Sequence, residues 1–371
     1  MTITKRQANT VLMSLIAGTF IVSSSGGDPA LETGKILWQD PTDLENRDLL
    51  YGPGGKKDQP PSGPFEFVKE DLSGTNPKFT VRDPDGVKWK VKLGAEAKPE
   101  TVATRFVWAV GYSADEDYFV ERAQITNVPK TGLKRLKGLI SSDSTVRNVR
   151  FKREEKGDKK EGNWAWNDPT LSGSRELNGL RVLMSVLNNW DLKDENNKVH
   201  DIRASKDESK KDESKDESIK AEAKDESIKD EAKKHEAKDK SEERVNIVSD
   251  LGASFGTTNY VTGLDKSRGN LKNYEHSRFI TRKTADTVDF ATPGRPTLLE
   301  IFNPRQYFAR VRLEWIGRNI PRADAKWMGT LLGRLSPAQI RDAFRSAGYS
   351  PADVESFARV MESRIAELNA L

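Results

Sequence analysis

Asn189-Trp190-Asp191-Leu192-Lys193-Asp194-Glu195-Asn196 and Ser249-Asp250-Leu251-Gly252-Ala253-Ser254-Phe255-Gly256 are the stretches on which the reading of this chain turns. The first sets an Asp, a Lys two residues on and an Asn five residues on in a polar loop. It follows residues 175–187, where Leu177, Leu180, Leu183, Met184 and Leu187 recur at helical spacing. The second is an Asp-x-Gly that follows a short apolar strand, residues 245–248. Asp, Asn and Gly are ordinary turn residues, so either half alone would be two surface turns. Both halves together, in this order and each after an apolar element, point to one site.

The pair resembles the signature of the protein-kinase-like fold. Asp191 to Asn196 has the spacing of the kinase catalytic loop, and Asp250-Leu251-Gly252 sits where Asp-Phe-Gly would sit. The longer pattern Asp-x-Gly-x-x-Phe-Gly is similar to the atypical branches: the secretory-pathway, lipid and HipA-type kinases. The resemblance implies that Asp191 orients the attacking hydroxyl, with Lys193 beside it. It implies that Asn196 and Asp250 hold magnesium or manganese on the phosphates of ATP. Phosphoryl transfer needs positioning and charge neutralisation more than covalent help, which is what such a set supplies. Trp190 stands where typical kinases carry an Arg that meets a phosphorylated activation loop, which argues against control of that kind. No Ala-Pro-Glu element closes the later segment, a departure towards the atypical branches.

Upstream, residues 65–69, 79–82 and 87–93 read as three strands, with strong turn signals at 72–77 and 83–86. The third alternates, with Val87, Trp89, Val91 and Leu93 on one face and Lys88, Lys90 and Lys92 on the other. Three charged residues on a strand face ordinarily solvate it. The resemblance implies instead that Lys92 in Trp89-Lys90-Val91-Lys92 meets the α- and β-phosphates, with Lys90 as the alternative. The turn at Ser73-Gly74-Thr75 would lie over the phosphates, since Gly lets backbone N–H groups approach. Residues 98–112 read as a helix with Pro99 in its first turn. Glu100 is the candidate partner of Lys92, and Glu96 the alternative. Residues 118–125 and 146–153 read as further strands. The basic runs 130–137 and 147–160 lack the aromatic interleaving of a nucleic-acid platform and read as solvated faces, open to an anionic substrate's approach.

The remainder bounds these readings. The chain has no Cys, which excludes a disulfide scaffold, a thiolate metal site and a Cys nucleophile. Lys5 and Arg6, an apolar run at 11–22 and a small polar run at 23–27 read as a signal peptide over residues 1–25. The expectation is a protein exported to the periplasm or the extracellular space, with no membrane span in the mature chain. Residues 26–64, rich in Gly, Pro and Asp, read as an extended arm. Its Gly52-Pro53-Gly54-Gly55-Lys56-Lys57 lacks the strand and helix that a phosphate loop needs. Residues 206–243 hold 11 Lys against 15 Asp and Glu, with Lys-Asp-Glu-Ser at 206, 211, 215 and 224. With almost no apolar residue they cannot join a core and read as an insert between the two signature halves. Helices are expected at about 296–315, 325–335 and after the N-cap signals Ser336-Pro337 and Ser350-Pro351.

The expectation is therefore an α+β, two-lobed, kinase-like fold. A small β-rich N-lobe would span 65–155, and a larger, mostly helical C-lobe 156–371. The function implied is an ATP-dependent phosphotransferase using a divalent metal and a hydroxyl acceptor on protein, lipid or sugar. An alternative is a catalytically inactive kinase fold that binds or scaffolds in a cell envelope. No nucleic-acid partner is expected.

Overall fold

The turn chemistry at 72–77 and 83–86 and the alternation after it produce what they predict, an antiparallel meander. In the computed structural model, which describes residues 35–55, 60–74, 76–154, 160–201, 244–257, 267–291, 308 and 311–371, a short strand β1 (Lys35–Ile36) precedes it. The meander runs β2 (Phe65–Asp71), β3 (Lys78–Arg82) and β4 (Lys88–Leu93). Helix α1 (Ala97–Ala109) follows, then β5 (Ser113–Ala114), β6 (Asp117–Thr126) and β7 (Thr145–Glu154). Strands β2, β3, β4, β7 and β6 close into a barrel, with β4 against β7 in the register Lys92 to Arg150 and β2 parallel to β6. Phe65, Phe79, Trp89, Val91, Tyr118 and Phe151 fill it, so the apolar face of β4 points into the barrel core.

Lys88, Lys90 and Lys92 do not share one fate on the other face. Lys88 and Lys90 are exposed, whereas Lys92 is buried beneath α1. The basic run 147–160 departs from a solvated face in the same way, because Arg150 is buried and only 12% of the Lys152 side chain is exposed. Both alternate on β7 with the barrel residues Val149 and Phe151, which turns them towards the covered side.

The helical lobe begins with β8 (Lys160–Gly162) and α2 (Arg175–Val186), capped by Ser174. Strands β9 (Lys198–Asp201) and β10 (Arg244–Val248) follow and pair antiparallel. β10 takes β1 and β5 in succession on its other edge, both parallel. Then come α3 (Leu271–Glu275), β11 (Ile280–Lys283), β12 (Thr287–Phe290), β13 (Ile320–Pro321), α4 (Arg322–Gly333), α5 (Pro337–Arg345) and α6 (Pro351–Asn369). Ser336 and Gln339 complete the capping box expected for α5, and Ser350 caps α6. A continuous core joins Val102 and Phe106 of α1 to Leu180 and Leu183 of α2, and to Phe344 and Phe357 of α5 and α6. Helix α1 thus belongs to both lobes.

The two-lobed α+β organisation expected from the sequence is the observed one. The segment expected as an extended arm is more integrated than an arm. Leu37, Leu44 and Leu49 are buried in the helical-lobe core, and β1 joins its sheet. The expected signal peptide, the charged insert and most of the helix expected at 296–315 lie outside the described residues. Among the described residues no helix is long and apolar enough to cross a membrane.

Candidate active site

Helix α2 ends in a turn that the left-handed Asn188 (φ 50°) makes possible, a conformation Asn tolerates. The chain then runs beside the segment that follows β10. The Phe255 N–H donates to the Leu187 carbonyl at 2.8 Å, and the Trp190 N–H to that of Ala253 at 3.4 Å. The Asn188 side-chain amide donates to the Gly256 carbonyl. The two signature stretches are therefore bonded to each other. Phe255 fastens them to the helices, its ring edge-on to Phe344 at 5.4 Å and to Tyr274 at 5.3 Å.

One cavity of about 580 Å³ opens between the barrel and these loops, a size usual for a small-molecule site. Lys92, Glu100, Asp191, Lys193, Asn196 and Asp250 all line it. Ser73 and Gly74 line it from the β2–β3 turn, while Thr75 lies outside the described residues. Lys90 reaches the cavity too, but its ammonium pairs with Glu154 at 3.1 Å and its side chain is half exposed.

Lys92 is the hub. Its ammonium lies 2.6 Å from Asp250, 2.8 Å from Glu100 and 3.3 Å from Glu96. Burial works against the charge, but Glu100, Asp250 and Glu96 outweigh it and hold Lys92 above the usual Lys range. Burial would raise the Asp250 carboxyl, and Lys92, with help from Arg150 and Lys78, brings it below its usual value instead. Asp250 stands in the left-handed region (φ 53°, ψ 48°), uncommon for a residue with a side chain and frequent at functional sites. Gly252 has no room for a side chain, because a Cβ there would fall 2.6 Å from Cβ of Glu96. Of the two Lys and Glu alternatives, the structure pairs Lys92 most closely with Glu100. Glu96 is shared with Arg268 at 2.8 Å and with the Asn76 amide at 2.5 Å.

In the loop after α2, the Asp191 N–H donates to the Asn189 side chain at 3.0 Å, and the Asp191 carboxylate pairs with Lys193 at 2.7 Å. The Asn196 amide nitrogen donates to the Asp191 carbonyl at 2.7 Å, which ties the loop and leaves the amide oxygen as a donor to a cation. The Asp250 side chain is 46% exposed, and only its Oδ1 is engaged by Lys92. A carboxylate and an amide oxygen on one cavity are hard oxygen ligands of the kind magnesium and manganese take, so these residues fit a divalent ion. Glu96, Glu100 and Asp250 also come within 4.8 Å of one another, but the cation they surround is the Lys92 ammonium.

Sequence reasoning missed a second charged layer. Arg150 bridges Glu100 and Asp117, both at 3.1 Å. Asp115 accepts from Lys152 at 2.5 Å and from Lys198 at 3.1 Å, and takes the Ser249 hydroxyl as well. Burial opposes the Asp115 charge, yet the two ammonium groups hold its carboxyl well below the usual range. Burial lowers Lys198 to about 8 despite Asp115, and Lys152 adds to that. Burial raises Asp117 to about 7 although Arg150 opposes it, since Glu100 and Asp115 repel a further negative charge. The period-2 pattern that turned Lys92 inward also turns Arg150 and Lys152 inward on β7 and could have found them. Nothing local marks Asp115 or Lys198, which meet the cavity only in three dimensions.

No protein-family model matches the chain, and no curated protein matches it. Among solved structures it is similar to the crystal structure of CtkA, a proinflammatory kinase of Helicobacter pylori. The two are 11% identical, with 84% of this chain and 97% of that chain covered at a TM-score of 0.42. A likeness that distant carries no argument about the site, which rests on the contacts above.

Proposed function

We propose that the protein is a phosphotransferase of kinase type, moving the γ-phosphoryl group of ATP to a hydroxyl acceptor with magnesium or manganese. One observation carries this reading: Lys92, held between Glu100 and Asp250, shares a cavity with Asp191 and Asn196. A bound divalent ion would draw charge off the phosphates, and Asp250 and Asn196 are the residues to hold it. Lys92, its direction fixed by Glu100, would exchange a bond to Asp250 or Glu96 for one to a phosphate oxygen. Ser73 and Gly74 offer polar groups from the turn above. Asp191 orients the acceptor hydroxyl and takes its proton as the oxygen bonds to phosphorus. The bridging P–O bond breaks and its electron pair leaves on ADP. From the sequence alone we extend the proposal to export of the mature chain.

A second reading has a specific observation in its favour. Asp250 is neutralised by Lys92 and Asp191 by Lys193. A chain that kept both pairs when nucleotide arrived would be an inactive kinase fold that binds or scaffolds. Phosphate release from ATP, to water or to a hydroxyl acceptor, separates the two. The phosphotransferase reading expects metal-dependent turnover that Asp191→Ala lowers by roughly a hundredfold or more with nucleotide binding retained. Lys92→Met should weaken binding and turnover together. Absence of turnover in the wild type with either metal would favour the scaffold.

A further inference from the structure

Glu96, the buried N-cap residue of α1, spreads its carboxylate over three donors. Its Oε2 accepts from the Lys92 ammonium at 3.3 Å and from the Asn76 amide, at the end of the β2–β3 turn, at 2.5 Å. Its Oε1 pairs with the Arg268 guanidinium at 2.8 Å. Of the three, the contact with Lys92 is the longest. Arg268 is seated from two sides. The Ser267 N–H donates to the Thr257 carbonyl at 2.9 Å and the Gly269 N–H to that of Ser254 at 3.0 Å, which ties its backbone to the second signature stretch. Its guanidinium lies 5.0 Å from the ring centre of Trp190, and the Trp190 indole N–H donates to the Ser267 carbonyl at 3.2 Å. A flat cation on an aromatic face is held in one pose, and in this pose it meets Glu96.

The three N–H donors of the Lys92 ammonium are taken by Glu96, Glu100 and Asp250, so it can reach a phosphate only by letting go of a carboxylate. A buried carboxylate left without its partners is costly, so the readiest release is from one that stays paired. Glu96 would keep Arg268 on one oxygen and Asn76 on the other. Glu100 would keep Arg150, but its Oε2 takes Lys92 at the shorter 2.8 Å. Resting on the phosphotransferase reading above, we propose that Arg268 is a positioning residue for the donor: it holds the Glu96 charge and so frees Lys92 for the phosphate oxygens. The same guanidinium lies on Trp190, the neighbour of Asp191, so the group that frees Lys92 is seated on the loop that carries the proposed base.

The experiment is calorimetric titration of the full chain with ATP, magnesium present. Arg268→Gln leaves Glu96 to Lys92 and is expected to weaken ATP binding about fivefold or more. Adding Glu96→Gln to that variant removes the charge that retains Lys92, and is expected to return the affinity to within about twofold of the wild type. Adding Glu45→Gln instead restores the same net charge at an exposed residue outside the cavity, and is expected to leave the affinity low. An Arg268 that only supports the fold predicts no rescue by Glu96→Gln, and a general effect of charge predicts rescue by either addition. Either result, or Arg268→Gln binding ATP as the wild type does, would overturn the inference and leave the phosphotransferase reading standing. Absence of ATP binding by the wild type would overturn both.

Discussion

At the scale of single residues, the site is a set of charges that burial would switch off and partners keep on. Asp117 is the exception, with one carboxylate oxygen bonded to Arg150 and the other buried without a hydrogen bond. Its carboxyl is raised from the usual 3.8 to about 7 by burial, with Glu100 and Asp115 adding to the shift against Arg150. A folded-state value above the unfolded one means that the group favours the fold while protonated. Its contribution is full below about pH 4 and is lost as pH rises through about 7. Asp117→Asn mimics the neutral form and removes that dependence. Chemical denaturation of both proteins from pH 4 to 8 should show the wild type losing stability relative to the variant across that window. A difference that stays flat, or that grows in favour of the wild type with rising pH, would show that Asp117 is ionised throughout.

At the scale of elements, what was legible in the sequence was what repeats locally. The alternation in Trp89-Lys90-Val91-Lys92, the helical spacing from Leu177 to Leu187 and the Ser336 and Ser350 caps all became the elements they describe. Asp191, Lys193 and Asn196 share a cavity because spacing within a loop survives folding, and the hydrogen bonds of Phe255 and Trp190 bring Asp250 to it. The basic run on β7 was misread, since the sequence shows its charges but not the carboxylates at 100, 115 and 117 that meet them. The packing of β1 was not legible, because two residues of strand carry no period. Strands β9 and β10 pair from Asp201 opposite Arg244, so the two residues that flank 202–243 are neighbours. Removing 206–243 shortens that connection without stretching it, and loop length changes closure entropy only slowly. The deleted protein should therefore keep a thermal midpoint within a few degrees of the full chain. A much larger fall would mean that the insert packs on the core.

At the scale of the whole molecule, a β barrel and a helical lobe share α1 and bring two signature loops against one buried lysine. The hydrogen bonds of Phe255 and Trp190 across those loops fix Asp250 and Asp191 relative to each other. Glu100 fixes Lys92 between the lobes. On the proposed function, a divalent ion would link Asp250 to the phosphates. Asp250→Asn is the cleanest probe, because Asn tolerates the left-handed backbone while removing the charge. The measurement is the affinity for ATP, with and without magnesium or manganese, of the wild type, Asp250→Asn and Asp191→Ala. With a divalent ion as that link, wild-type binding is expected to fall about tenfold or more without metal, Asp250→Asn to be indifferent to metal, and Asp191→Ala to bind within about threefold of the wild type. Wild-type binding of equal strength with and without metal, or no binding under any condition, would contradict it.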